Sequence, residues 1–217
     1  MFSYYGSKSK LVNLYPEPLH DTIIEPFAGS ARYSLKYWDR DIYLIEKDII
    51  LIKVWKYLQN VSPKELDSLP RVKFGDNIKD FNLSEEELLF MSFIVNEGNT
   101  GKRYTVTKRA APKVDYKIRT TKDILPKIKH WKIIHGDYTD APDICATWFI
   151  DPPYLNGGKY YRFNDIDYNF LSSWCLSRKG QLIVCEGKGA NWLPFVDLKE
   201  YWGGIKHGTE RVFIRNE

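Results

Sequence analysis

The N-terminal part of the chain contains the same pattern twice, a short apolar segment followed by an amphipathic one. DTIIE (residues 21–25) precedes PFAGSARYSLKYW, and IYLIEKD (residues 42–48) precedes IILIKVWKYLQN. The apolar segments have the length of buried strands, and the segments after them have helical spacing. Strands that alternate with helices predict an α/β fold with a parallel sheet.

The alternation breaks after residue 60 and resumes near residue 123. SEEELLFMSFIVNE (residues 84–97) predicts a helix, because acids lie in its first turn and Gly98 follows it. Residues 99–121 are basic and weakly periodic. We therefore predict that residues 61–121 are an insertion into a main domain formed by residues 1–60 and 122–217.

The elements predicted after the insertion complete the α/β pattern. They are a helix near 123–131, the strands KIIHGD and TWFIDPPY, a helix near 168–177, the strand QLIVCEG, and a terminal hairpin from LKEYWGG to ERVFIRN.

The composition argues against several classes of protein. No apolar run approaches the roughly 20 residues of a membrane span, and MFSYYGSKSKL lacks the apolar stretch of a signal peptide, which predicts a cytoplasmic protein. Cys145, Cys175 and Cys185 lie among apolar neighbours without a Cys-x-x-Cys pair, which predicts buried reduced thiols. The histidines have no metal-ligand spacing, so no metal site is predicted.

Positive charge is concentrated in one stretch of the chain. Residues 102–132 contain eleven Lys and Arg against two acids, a net charge of +9 that leaves −5 for the remainder of a chain with +4 in total. Such a run is often only a solvated face. Interleaved Tyr104, Tyr116 and Trp131 favour a surface that binds a polyanion.

Four predicted strands end in an acid, namely Glu25, Glu46, Asp137 and Asp151. Ligands of open parallel sheets bind at the carboxyl ends of the strands, so we predict a site there, although each acid could instead cap the next helix. The loop at 27–30 lacks the G-x-G-x-x-G spacing that binds pyrophosphate. An adenosine-like ligand fits better, with Glu46 accepting hydrogen bonds from both ribose hydroxyls.

The segment WFIDPPY (residues 148–154) ends its apolar run abruptly. Pro152 and Pro153 cannot extend a hydrogen-bond ladder, so the strand stops and presents Asp151 and Tyr154 at its tip. An ordinary turn capped by Asp151 is the alternative.

These motifs together resemble a known family. YYGSKSKL, EPFAGS, GDY and DPPY, in this order with an insertion in the middle, are similar to the Dam-type (D12 class) adenine-specific DNA methyltransferases. DYNFLSSWCLSRKGQLIVCEG also resembles adenine methylase-like proteins of bacteriophages and prophages. The similarity spans residues 4–187, although YYGSK departs from the tryptophan-containing, double-glycine motif typical of Dam.

The resemblance implies a class I, Rossmann-like methyltransferase that uses S-adenosyl-L-methionine (SAM) and acts on double-stranded DNA in a bacterial or phage-infected cytoplasm. Residues 1–60 and 122–217 would bind SAM. Phe27 and Gly29 would line its methionine part, and Asp137 would bind its adenine amino group. The predicted cofactor-binding residues are Tyr4, Gly6, Ser7, Lys8, Glu25, Pro26, Phe27, Gly29, Glu46, Lys47, Asp137, Tyr138 and Asp151.

The resemblance also implies a catalytic set of Asp151, Pro152, Pro153 and Tyr154. The adenine N6 amine is a weak nucleophile, and the Asp151 carboxylate and the Pro152 carbonyl would accept its two hydrogens. Asp151 would stabilise the charge that develops on the amine. Tyr154 would stack on the flipped base, which is worth about 1–3 kcal/mol.

DNA contacts are expected from the basic insertion. Lys102, Arg103, Lys108 and Arg109 are candidates for phosphate contacts, and Asn99, Thr100, Arg119 and Thr121 are candidates for base edges. The short insertion predicts a short or relaxed recognition sequence. Three alternatives stay open: N4-cytosine methylation of DNA, methylation of RNA adenine, and a catalytically silent DNA-binding protein of the same fold.

Overall fold

The structure is a computed structural model that describes Phe2 and residues 4–96, 102–203 and 206–217. Its described strands form one seven-stranded sheet: β1 Thr22–Glu25, β2 Asp41–Glu46, β3 Lys132–His135, β4 Ala146–Ile150, β5 Gly180–Gly187, β6 Val196–Gly203 and β7 Lys206–Arg215. The spatial order is β3-β2-β1-β4-β5-β7-β6, and β7 is antiparallel to both of its neighbours. The parallel strands follow the order β3-β2-β1-β4-β5 of a Rossmann-like doubly wound sheet, and β6 and β7 form the terminal hairpin, so the predicted Rossmann-like α/β fold class is confirmed.

The described α-helices are α1 Arg32–Lys36, α2 Ile49–Asn60, α3 Pro63–Ser68, α4 Glu85–Ile94, α5 Val114–Lys122, α6 Leu125–Ile128 and α7 Tyr168–Leu176. Helix α4 begins where the sequence predicts, because Ser84 and Glu87 form a reciprocal capping box. It ends at Ile94, earlier than predicted, and residues 97 and 98 lie outside the described part of the chain.

The weakly periodic segment contains a helix that the sequence analysis missed. Helix α5 buries Val114, Ile118 and Thr121 on one face, and Arg119 on its other side is exposed. The buried Thr121 hydroxyl donates to the carbonyl of Lys117 at 2.7 Å, so the prediction that it reaches a base edge is wrong. The predicted helix at 123–131 is reduced to the single turn of α6.

Two hydrophobic clusters cover the faces of the sheet. Strand β4 divides its side chains between them, with Phe149 on one side and Trp148 and Ile150 on the other. The helices at 61–121 contribute to the same cluster as α2, so the insertion shares the main core. Its separation as a domain stays a prediction.

Two smaller predictions are wrong. Cys145 is exposed because it lies in the loop before β4, whereas Cys175 and Cys185 are buried as predicted. Trp131 is buried against Trp55 and its indole N–H donates to the carbonyl of Trp38, so it does not belong to a polyanion-binding surface.

No helix among the described residues is long and apolar enough to cross a membrane.

Candidate functional site

An open cavity of ≈ 920 Å³, including the solvent at its mouth, lies at the carboxyl ends of β1, β2 and β4. Every residue predicted to bind the cofactor lines it: Tyr4, Gly6, Ser7, Lys8, Glu25, Pro26, Phe27, Gly29, Glu46, Lys47, Asp137, Tyr138 and Asp151. The parallel sheet explains this convergence, because motifs far apart in the sequence follow neighbouring strands. Cofactor binding itself stays a prediction.

Glu46 is held in a fixed orientation at the end of β2. Its two carboxylate oxygens accept hydrogen bonds from the backbone N–H groups of Gly29 and Asp48, each at 2.9 Å. Gly29 has φ +46°, the left-handed region that favours glycine. Burial raises the pKa of Glu46 to about 7, although these donors oppose the shift. The Glu46 carboxylate is therefore held by two backbone N–H donors and faces the cavity.

An aromatic wall lies on the same cavity. The rings of Phe27 and Tyr138 stack with centroids 5.2 Å apart and planes at 26°, and Trp174 supports Tyr138 edge-on. Beside them, the Lys47 ammonium lies 2.7 Å from the Asp137 carboxylate. A flat apolar surface close to an oriented acid suits a nucleoside, so the residues present fit the adenosine part of SAM.

The main feature absent from the sequence analysis is an ion pair between Lys8 and Asp151. The Lys8 ammonium lies 2.6 and 2.7 Å from the two Asp151 oxygens, and the side chains are 7% and 20% exposed. Burial lowers the pKa of Lys8, but the Asp151 carboxylate, Glu210 and other nearby groups together outweigh it, so the net shift is upward and Lys8 is charged. Burial raises the pKa of Asp151 and Lys8 opposes the shift.

The backbone after Asp151 is fixed by hydrogen bonds from other elements. The Tyr168 hydroxyl donates to the carbonyl of Pro153 at 2.5 Å, and the N–H of Leu155 donates to Glu186 at 3.1 Å. Pro152 and Pro153 are buried. The position of the DPPY segment is thus set by β5, α7 and its own turn.

Tyr154 does not line the cavity. Its hydroxyl donates to Glu210 on β7 at 2.6 Å, and Tyr15 donates to the same Glu210 oxygen at 2.6 Å. The ring packs on Gly187, where an added Cβ would lie 3.0 Å from it. Stacking of Tyr154 on a target base stays a prediction. No sequence motif indicates that Glu210 accepts a hydrogen bond from Tyr154.

The N-terminal segment and the loop at 155–166 cover the cavity. The Tyr161 hydroxyl donates to the carbonyl of Tyr5 at 3.2 Å, and Gly6 (φ +74°) leaves space for it, since a Cβ there would lie 2.0 Å from the Tyr161 oxygen. The cavity-lining residues that the sequence analysis missed are Tyr5, Ala28, Ala31, Arg32, Asp48, Phe149, Tyr161, Arg162, Phe163, Asp165 and Ile166. The only sequence signal for the loop is its aromatic content after DPPY.

The predicted DNA-binding residues Lys102, Arg103, Lys108, Arg109 and Arg119 are all exposed, whereas Asn99 and Thr100 lie outside the described residues. The rest of the basic run does not form one surface. Lys117 is buried, Lys122 pairs with Asp67, and Lys132 pairs with Asp41.

The exposed basic segment is attached to the end of α4. The Asn96 amide donates to the carbonyl of Thr105 at 3.2 Å, and the N–H of Thr107 donates to the carbonyl of Val95 at 3.1 Å. One turn earlier in α4, the centroid of the Phe93 ring lies 6.2 Å from that of the Tyr4 ring. Tyr4 in turn lines the cavity. The basic segment is therefore linked to the cavity through α4.

Comparisons with known proteins give only a distant similarity. No protein-family model and no curated protein sequence matches the chain. One similar solved structure is a conserved hypothetical protein from Streptococcus pyogenes, with a TM-score of 0.39 and 12% identity, covering 97% of this chain and 96% of that one. Another is yhhF from Escherichia coli, provisionally described as a methyltransferase, with a TM-score of 0.38 and 12% identity, covering 96% and 80%. The fold assignment rests on the strand order.

Proposed function

We propose that the protein transfers a methyl group from SAM to the N6 amino group of adenine in DNA. The observation that carries the proposal is the position of Asp151. This acid follows β4, lies in the cavity that contains Glu46 and the Phe27–Tyr138 wall, and is followed by two buried prolines. An acceptor group and a nucleoside-shaped site thus share one cavity.

The cavity fits SAM in three places. Glu46 would accept hydrogen bonds from the ribose hydroxyls, Phe27 and Tyr138 would hold the adenine ring, and Asp137 would meet the adenine amino group. SAM supplies an electrophilic methyl group on a sulfonium. The remaining chemistry is to place a weakly nucleophilic amine in line with that methyl group.

Asp151 would orient the amine by accepting one of its hydrogens, and the Pro152 carbonyl would accept the other. An ionised carboxylate has about four lone-pair sites, so the Lys8 ammonium leaves acceptor capacity on Asp151. Lys8 opposes the upward shift that burial gives the pKa of Asp151, and so favours the ionised carboxylate. As the bond between the amine nitrogen and the methyl group forms and the bond between the methyl group and sulfur breaks, the fixed charge of Asp151 would stabilise the positive charge on the amine, and the proton would leave to solvent after attack.

DNA is the proposed partner because exposed cations lie on the segment linked to the cavity. Lys102, Arg103 and Lys108 are exposed and would contact phosphates, which position a duplex without reading its sequence. An adenine in a duplex must be flipped out to reach Asp151. The phosphate contacts would hold the duplex while this occurs.

The test is to incubate the protein with SAM and unmethylated genomic DNA, digest the DNA to nucleosides and quantify methylated species by mass spectrometry. We expect N6-methyldeoxyadenosine with the wild type and its loss in Asp151→Asn. The matched control is Asp39→Asn, which changes an exposed acid in the turn after α1.

Each other outcome identifies what is wrong. N4-methyldeoxycytidine would keep the chemistry and refute the base assignment. Methylation of RNA alone would refute the partner. SAM binding without any methylated product would support a silent DNA-binding protein, and absence of SAM binding would refute the cofactor assignment.

A further inference from the structure

Arg32 is a cavity-lining cation whose hydrogen-bond partners among the described residues are neutral. It is the first residue of α1, and its guanidinium donates from Nε to the Ser7 hydroxyl at 3.2 Å and from Nη2 to the carbonyl of Phe2 at 3.3 Å. The Ser30 hydroxyl donates to the same Ser7 oxygen at 3.0 Å. One guanidinium and two hydroxyl groups therefore converge at one end of the cavity.

The charge of Arg32 is not balanced by an acid within the described residues. Burial lowers the pKa of Arg32, and no described carboxylate lies within ion-pair distance to oppose the shift. The other cavity-lining cations each have a carboxylate partner: Lys8 with Asp151, Lys47 with Asp137, and Arg162 with Asp48. Buried arginines are normally paired. The charge of Arg32 is therefore suited to binding an anionic group of a ligand.

A carboxylate fits this position better than a DNA phosphate. Arg32 is half-buried behind the N-terminal segment, whereas a duplex phosphate contacts outward-facing cations. The acid Glu25 lines the same cavity, and its carboxylate accepts from the N–H of Ser34, two residues beyond Arg32 in α1. Burial raises the pKa of Glu25 to about 8, and a cation beside it would favour its ionised form. A ligand group that has both a carboxylate and an ammonium therefore matches Arg32 and Glu25 at this end.

We propose that Arg32, with Ser7 and Ser30, binds the carboxylate of an α-amino acid group, which in SAM is the methionyl end. This inference rests on the proposed function, because it names the part of the cofactor that Arg32 recognises. A planar guanidinium binds a carboxylate through two parallel hydrogen bonds, so a lysine would replace it only partly.

The test compares two ligands by isothermal titration calorimetry. S-adenosylhomocysteine carries the amino acid group, and 5′-methylthioadenosine lacks it. We expect Arg32→Gln to weaken S-adenosylhomocysteine binding by roughly 10- to 100-fold, to leave 5′-methylthioadenosine within about 2-fold, and Arg32→Lys to be intermediate. The control is Arg40→Gln, which breaks an exposed ion pair with Asp21. Thermal melts establish that each variant folds.

The alternatives give different results. Equal weakening of both ligands would mean that Arg32 only supports the fold, and unchanged binding of both would refute the inference. A loss of DNA affinity without a loss of S-adenosylhomocysteine affinity would assign Arg32 to a phosphate and overturn the proposal. If the wild type binds neither nucleoside, the proposed function itself fails, together with the inference.

Discussion

Replacement of Lys8 by methionine should make the stability of the protein depend on pH. The change removes the ammonium that lies 2.6 Å from the Asp151 carboxylate and leaves a side chain of similar length. Breaking a buried ion pair by removing one partner costs about 3–5 kcal/mol, because the remaining charge is buried without compensation. We expect a loss of this size at pH 8, where Asp151 is ionised in the unfolded chain.

The loss should be smaller at pH 5, for a reason that follows from proton linkage. Burial raises the pKa of Asp151, and without Lys8 the main influence that opposes that shift is gone and only Tyr154 still opposes it. The folded variant then binds a proton that the unfolded chain, with a pKa of about 3.9, releases. Stability therefore falls as pH rises from the unfolded pKa through the raised folded pKa, and acid restores part of it.

The measurement is urea unfolding followed by tryptophan fluorescence at pH 5 and pH 8. Lys8→Met combined with Asp151→Asn should recover most of the loss at pH 8, because no charge remains buried. The control is Lys53→Met, which breaks the exposed pair with Glu85 and should change the free energy of unfolding by about 0–1 kcal/mol. A loss in Lys8→Met that is below about 1 kcal/mol, or equal at the two pH values, would refute the reasoning.

Three further predictions concern other contacts. Glu210→Leu removes the acceptor of two tyrosine hydroxyls and should lower the free energy of unfolding by about 2–4 kcal/mol, with Glu210→Gln closer to wild type in the same urea assay. Gly6→Ala should cost roughly 1–2 kcal/mol, seen as a lower Tm, because φ is +74° and the Cβ would displace Tyr161; an unchanged Tm would contradict this. Lys108→Ala with Arg109→Ala should weaken DNA binding and reduce the salt slope by about 2, and a slope equal to wild type would exclude both from phosphate contacts.

The cavity lining could be predicted from the sequence because each strand and its following loop are local features. Glu25, Glu46 and Asp151 end short apolar runs, and a parallel sheet brings such ends together whatever their separation along the chain. The same local reasoning placed α2 and α7 correctly. Elements defined by their own periodicity and caps were therefore predicted well.

The contacts that orient the side chains could not be predicted in this way. Lys8 and Asp151 are 143 residues apart. Tyr154 lies in the loop after β4 and Glu210 lies on β7, and no motif connects these two segments. Helix α5 was missed because its buried face contains Lys117, whose ammonium donates to the carbonyl of Ile94 at 3.0 Å. A buried lysine with a carbonyl partner looks in the sequence like part of an exposed basic run.

The buried acids around Lys8 imply that the cavity prefers a positively charged ligand. Asp151 and Glu210 are two buried acids that act electrostatically on one ammonium, that of Lys8, and burial raises the pKa of Glu210. When both acids are ionised, one negative charge is uncompensated beside the site. SAM carries a sulfonium charge that S-adenosylhomocysteine lacks, so SAM should bind more tightly. Burial also raises the pKa of Glu25 to about 8 and that of Glu46 to about 7 in the same cavity, so the advantage of SAM should shrink as pH falls from 8 to 5 and the buried acids take up protons. Calorimetry of both ligands at the two pH values measures this ratio. A ratio that stays constant, or that grows in acid, would show that the buried acids do not select the charge of the ligand.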